Sequence, residues 1–158
     1  MTVPLPATLR LCVRRRRVPG ATGATVQVSL RVPSDVACIE EVVDLLMRHC
    51  CTGGWLGRRP RFNLRVAIAE ALANAIVAGN QEDRSKWVQV QAEVHGDLIR
   101  VEVTDQGPGF DPATITEPIL PEELDRPSGR GLFLIKHLVD DVSFNAQGNS
   151  ICMTLRRR

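Results

Sequence analysis

Tyrosine is missing from this 158-residue chain and aromatic residues make up only 4% of it. A nucleic-acid surface would want a basic face with interleaved aromatics, so that class of partner is not expected. The formal net charge of +2 is too small to imply a polyanionic ligand. The arginine clusters Arg14 to Arg17 and Arg156 to Arg158 read as solvated ends. Five cysteines are an odd number, and none stand in a C-x-x-C pair. Neither a disulfide framework nor a zinc site follows, and the thiols are expected to be reduced and mostly buried. In "RHCC", His49 stands beside Cys50 and Cys51, but neighbouring helical residues point about 100° apart and cannot converge on one metal. No apolar run approaches the roughly 20 residues that span a bilayer. The N-terminus lacks a basic-then-apolar signal segment. A cytoplasmic protein without a membrane role is expected.

What is present is ordinary globular composition, 44% hydrophobic and 24% charged, in a length that suits one domain with one two-layer core. Residues 1–24 carry Pro4, Pro6, Pro19, Gly20 and Gly23 around the arginine run, which predicts a loose N-terminal arm with a short strand near Leu9 to Val13. The domain proper is placed at 25–158. "TVQVSLRV" alternates as a strand, and "PSDVACIEEVVDLLMRHC" is a helix capped by Ser34 or Asp35. In "RFNLRVAIAEALANAIVAGN" the residues Leu64, Ile68, Leu72 and Ile76 form one buried stripe, with Gly79 and Asn80 as a stop. "KWVQVQAEV" and "DLIRVEVTD" alternate with period two around "HGD" and predict an antiparallel hairpin. A helix, "RGLFLIKHLVD", and a second hairpin turning at Gly148 and Asn149 end the chain. The fold class is α+β: a two-layer sandwich of a mostly antiparallel sheet with helices on one face.

Three elements carry candidate chemistry. Glu70 and Asn74 lie one helical turn apart, off the buried stripe. A carboxylate and an amide oxygen at that spacing suit a magnesium-bound phosphate site, the oxygen as metal ligand and the carboxylate as base; an exposed pair near a helix end is the alternative. Asp105 continues the inward face of Ile99, Val101 and Val103. Such a carboxylate needs a donor, from the protein or a ligand, unless it merely caps the turn "DQGPG". Gly107 and Gly109 then let the backbone pass close to a ligand. "SGRG", with Gly129 and Gly131, stands where a helix starting near 131 would offer free N–H groups to phosphate, or is simply a loop exit. Between the two glycine pairs, residues 111–128 predict a long mobile lid.

That ordered set resembles the GHKL (histidine-kinase-like) ATPase superfamily, whose three nucleotide-binding boxes correspond to "EALANAIVAGN", "DQGPGFDP" and "SGRGLFLIKHLVDDV". "RPSGRGLFLI" in so short a chain looks more narrowly like the bacterial anti-sigma-factor serine kinases of the RsbW and SpoIIAB type. The resemblance covers about residues 25–156 and implies the Bergerat ATP-binding fold with ATP and Mg2+ as cofactors. It implies Glu70 as catalytic base, Asn74 as Mg2+ ligand and Asp105 as acceptor for the adenine amino group. Gly107, Gly109 and Phe110 would line the adenine side, and Ser128, Gly129, Arg130, Gly131 and Leu132 the phosphate side. By the same resemblance the partners are a small STAS-type anti-anti-sigma protein, phosphorylated on serine, and a sigma factor that is sequestered, with a homodimer as a further expectation. Similar proteins often carry His four residues after the Asn, and here that residue is Ala78. Its presence favours the alternative, a non-catalytic nucleotide-binding partner-switch module. Ser150 stands where Thr is frequent.

Overall fold

The computed structural model describes residues 8–17, 24–52, 54, 56–112 and 127–157. Six strands form one sheet in the order β1-β2-β3-β4-β6-β5, every neighbouring pair antiparallel. They are β1 (Arg10–Arg17), β2 (Ala24–Pro33), β3 (Trp87–His95), β4 (Leu98–Thr104), β5 (Asp141–Phe144) and β6 (Ser150–Arg156). Among the described residues three α-helices accompany the sheet, α1 (Ile39–Cys50), α2 (Arg58–Ala73) and α3 (Pro127–Leu138). The α+β sandwich expected from the residue pattern is therefore what forms.

Period-two patterning selects the face. Val28, Leu30 and Val32 of β2, Val88 and Val90 of β3, Ile99, Val101 and Val103 of β4 and Met153 of β6 are all buried in one cluster. The alternate residues, such as Gln27, Ser29, Gln91 and Arg100, belong to the polar face that an antiparallel sheet can leave to water. Helix α1 turns Val42, Val43, Leu46, Met47 and Cys50 to that core. Glu40 and Glu41 in its first turn and Arg48 and His49 in its last oppose its dipole. Asp35, not Ser34, caps the 3₁₀ turn that leads into it, accepting from Ala37 N at 3.0 Å.

Helix α2 buries Leu64, Ile68 and Leu72, each at most 2% exposed, and the next residue of the stripe, Ile76, is fully buried. Burial of such a side chain stabilises by about 1.5–3 kcal/mol. Ala67, Ala71 and Ala75 run beside them, also buried. By length and composition Arg58–Gly79 is apolar enough to cross a bilayer. No single apolar run of that length is expected, because Arg65 and Glu70 interrupt the apolar residues along it. Here its apolar stripe is spent on the sheet.

Three expectations need correction. Within residues 1–24, Arg10–Arg17 is a full strand paired with β2, not a short segment in a loose arm. Arginines are tolerated there because β1 is an edge strand, where charge also discourages further pairing. Helix α3 begins at Pro127, four residues before the expected start, which agrees with the preference of proline for the first helical position. Only Cys50 and Cys51 are buried, while Cys38 and Cys152 are partly exposed and Cys12 is exposed. Burial pushes the Cys50 thiol up to about 12, so it is inert at neutral pH. The segment expected as a lid, 111–128, falls largely on residues 113–126, outside the described residues.

The β5–β6 turn is held by Asn145, whose Oδ1 accepts from Gly148 N at 2.8 Å, Asn149 N at 3.1 Å and Ser150 N at 3.2 Å. Gly148 has φ +75°, and a Cβ there would overlap the Phe110 carbonyl oxygen. Gly96, in the β3–β4 turn, has φ +58° but no atom in the way. Gly148→Ala should therefore destabilise more than Gly96→Ala, whose cost is the backbone term alone, about 1–3 kcal/mol. Urea midpoints of the two variants, at unchanged slope, check this; equal shifts would mean that the collision relaxes without cost.

Candidate functional site

The site is built around α2 and its continuation. After Ala73 the helix widens into a π segment, Asn74–Gly79. Asn80 N bonds Ala75 O at 2.8 Å, and Glu82 N reaches back to Ile76 O at 2.8 Å. Two residues beyond the segment, Gln81 and Glu82, take positive φ of 53° and 55°. Short π stretches of this kind concentrate at functional sites. Nothing in the hydrophobic periodicity announces this one.

Glu70 and Asn74 are both partly exposed, and they face α3. A Cβ placed on Gly131 would lie 3.0 Å from Asn74 Nδ2, 3.1 Å from Glu70 Oε2 and 3.3 Å from Asn74 Oδ1. Gly131 therefore lets the backbone of α3 come right up to the acid and the amide. Any larger residue would fill the space next to them.

At the other end of the same wall, Gly79 lies against Asp105. A Cβ on Gly79 would collide with the Asp105 carboxylate, and a Cβ on Gly107 would collide with the Gly79 carbonyl. Asp105 continues the inward face of β4 and is half-buried. Its Oδ1 accepts from Gly107 N at 2.8 Å. Its backbone is clamped by Asn149, with Asp105 N donating to Asn149 O at 2.9 Å and Asn149 Nδ2 donating to Asp105 O at 3.1 Å.

Desolvation raises the Asp105 carboxyl above its ordinary value of 3.8, and the Gly107 amide and the Lys86 charge pull it part of the way back. A carboxyl raised in the folded state contributes stability that is present below the ordinary value and lost as pH rises through the folded one. The ionised carboxylate thus costs stability at neutral pH. Asp105→Asn, which keeps an oxygen for Gly107 N, should raise the melting temperature of the nucleotide-free protein at pH 7, and the gain should shrink towards pH 3. A variant that melts lower than wild type at pH 7 would show that the desolvation cost is already offset.

The glycines of the second box serve the fold more directly than expected. Gly107 makes room for the Gly79 carbonyl and Gly109, with φ +75°, for the Gln147 carbonyl. Both close approaches are to this chain's own backbone. Phe110 is 41% exposed and meets the Phe144 ring of β5 edge-on at 5.5 Å. In the third box, helix α3 already includes Ser128 and Gly129. In a helix that starts at Pro127 the amides with no acceptor inside the helix are those of its first turn, Ser128 and Gly129, while Arg130, Gly131 and Leu132 fall within its hydrogen-bond ladder. Arg130 is exposed. Among the described residues no group of three His, Cys, Asp or Glu side chains is arranged to hold a metal. A cation here would rest on Asn74, the neighbouring carboxylate and ligand oxygens.

Residue reading missed one member of this region. Asn80, expected only to stop the helix, is fully buried, and Ser34, weighed as a cap, is buried beside it and donates to Lys86 O at 2.9 Å. An asparagine directly after a glycine at a helix end reads as punctuation, which hides any tertiary role.

Residues 32–155 match the family described as the histidine kinase-like ATPase domain. Curated relatives include the serine-protein kinase RsbW of Listeria innocua, 32% identical over 99 residues, which is 58% of this chain and 63% of the relative. The serine-protein kinase RsbW of Oceanobacillus iheyensis is 36% identical over 91 residues, 54% of this chain and 58% of the relative. That of Staphylococcus aureus is 32% identical over 98 residues, 57% and 62% of the two chains. The match thus spans about three fifths of the length of each relative.

Proposed function

Because the chain belongs to the histidine kinase-like ATPase domain family, we propose that it is a Mg-ATP-dependent serine-protein kinase that acts as an anti-sigma factor. In this reading it phosphorylates a serine on a small STAS-type antagonist protein and sequesters a sigma factor in the cytoplasm. One observation carries the reading: a single helical wall presents Glu70 and Asn74 to Gly131 at one end and Gly79 to Asp105 at the other. In this reading the Gly131 end takes the phosphates and the Asp105 end the nucleobase. The residues also fit the ligand, since Asp105 spends one oxygen on Gly107 and Gly131 leaves open the space that a Cβ would fill beside Glu70 and Asn74.

ATP would supply the phosphoryl group, and a Mg2+ held with it would neutralise part of the phosphate charge. Asp105 accepts a hydrogen bond from the adenine amino group, and its desolvated setting makes that bond worth more than one in water. Asn74 offers its amide oxygen to the cation. The Ser128 and Gly129 amides, with the positive end of the α3 dipole, attract phosphate oxygens. Glu70 takes the proton of the serine hydroxyl as the serine oxygen bonds the γ-phosphorus of ATP, the bond from that phosphorus to the β–γ bridging oxygen breaks, and ADP leaves. Since phosphoryl transfer needs mainly positioning and charge neutralisation, this short set suffices.

Ala78 supports the second reading, a nucleotide-binding switch without catalysis. It stands exposed on the π segment, one turn beyond Asn74, and brings no imidazole to the site. Incubation with γ-labelled ATP and candidate antagonist domains separates the two. A kinase labels its antagonist on serine; a switch module binds nucleotide and antagonist and labels nothing.

A further inference from the structure

We infer that Asn80 is a positioning residue for nucleobase recognition, holding Asp105 in place through the amide of Gln106. The inference rests on the assignment of Asp105 to the adenine amino group. Asn80 is fully buried, and its side chain is spent on three elements at once. Nδ2 donates to Ser34 Oγ at 2.8 Å, just after β2, and to Trp87 O at 3.0 Å, at the start of β3. Oδ1 accepts from Gln106 N at 2.8 Å, just after β4. Trp87 O only accepts and Gln106 N only donates, so the orientation of the amide is fixed by its partners.

The Gln106 bond is the one that matters for the ligand. Gln106 stands between Asp105 and Gly107, the two residues packed directly on Gly79. Asn80 follows Gly79 and closes the π turn with its own N–H on Ala75 O. The loop after β4 is therefore pinned to the π segment by Asn80 on one side. On the other it is pinned to the β5–β6 turn by Asn149. Gln106 Oε1 adds a bond from Trp87 N at 2.8 Å, which steadies the side chain but not the amide next to Asp105. Removing Asn80 Oδ1 takes away the acceptor of the partly buried Gln106 N–H and, with it, the bond that holds the loop against Gly79, so the loop shifts. Asp105 moves with it. Asn80 itself has no exposed surface from which to touch a ligand.

The test is a ratio of affinities. ATP and purine riboside triphosphate, which lacks the exocyclic amino group, are titrated into wild type and Asn80→Ala. Wild type is expected to prefer ATP. Asn80→Ala is expected to lose about tenfold in ATP affinity, the scale of a hydrogen bond to a charged group, while binding of the analogue changes by less than about threefold. In the Asp105→Asn background, Asn80→Ala should cause no further loss for ATP, because residues acting through one contact are not additive. A role confined to stability lowers the melting temperature and leaves the ratio of the two ligands at its wild-type value, and that result overturns the inference. Asn80→Ser, which leaves a hydroxyl for Ser34 but does not reach Gln106 N, gives the same reading where Asn80→Ala does not fold. If wild type binds both ligands equally, the adenine assignment of Asp105 fails and the role of Asn80 falls with it. If wild type discriminates and Asn80→Ala keeps the same ratio, only the role of Asn80 fails.

Discussion

Glu70→Gln should leave ATP affinity within a few-fold of wild type while slowing transfer to serine by about a hundred- to ten-thousandfold, the usual cost of losing a general base. Glutamine keeps the size of the side chain, so the close packing of Gly131 on Glu70 and Asn74 is preserved. What is lost is a group that accepts a proton, and that loss is felt when the serine hydroxyl gives its proton up. Asn74→Ala is the contrasting variant. It removes an oxygen ligand for Mg2+ and should weaken Mg-dependent nucleotide binding and transfer together. Single-turnover transfer to a serine-bearing antagonist, measured beside nucleotide affinity, separates the two effects. Equal transfer rates from wild type and Glu70→Gln would remove Glu70 from the chemistry.

Asp105→Asn should lower ATP affinity about ten- to hundredfold, corresponding to roughly 1.5–3 kcal/mol for a hydrogen bond to a charged group. The amide still satisfies Gly107 N, but it presents a mixture of donor and acceptor where the adenine amino group needs an acceptor. The same substitution is expected to stabilise the nucleotide-free protein, since it removes a carboxylate whose burial raises its pKa. Opposite signs in one variant, weaker binding with higher melting temperature, mark a residue kept for a ligand at the expense of stability. Unchanged ATP affinity would take Asp105 out of the pocket.

Much of this was legible from residue order. The alternation of β3 and β4 around Gly96, and the four-residue recurrence of Leu64, Ile68, Leu72 and Ile76, report burial directly, and burial is what organises the fold. Counting by two from Ile99 places Asp105 on the inner side. The π segment was not legible, because its extra residue per turn falls at Asn74–Gly79, where the apolar stripe is ending and has no further repeat to shift. The extent of β1 was hidden by its charges. Arg15 faces the helical side of the sheet, opposite Val26, yet stays exposed, while Val13 on the same face of β1 packs against the core. The close contact of Gly79 with Asp105 joins residues 26 positions apart, and no local pattern encodes it. Nor does local pattern distinguish Asn80 as a helix stop from Asn80 as the pin between three strand ends.

Calorimetric titration of the wild-type protein with ATP, with and without Mg2+, tests the central claim that α2, its π segment, Asp105 and α3 together form a nucleotide site. The account predicts one saturable site per chain, tightened by Mg2+ and competed by ADP. A folded protein that shows no saturable binding of ATP in the presence of Mg2+ would contradict it.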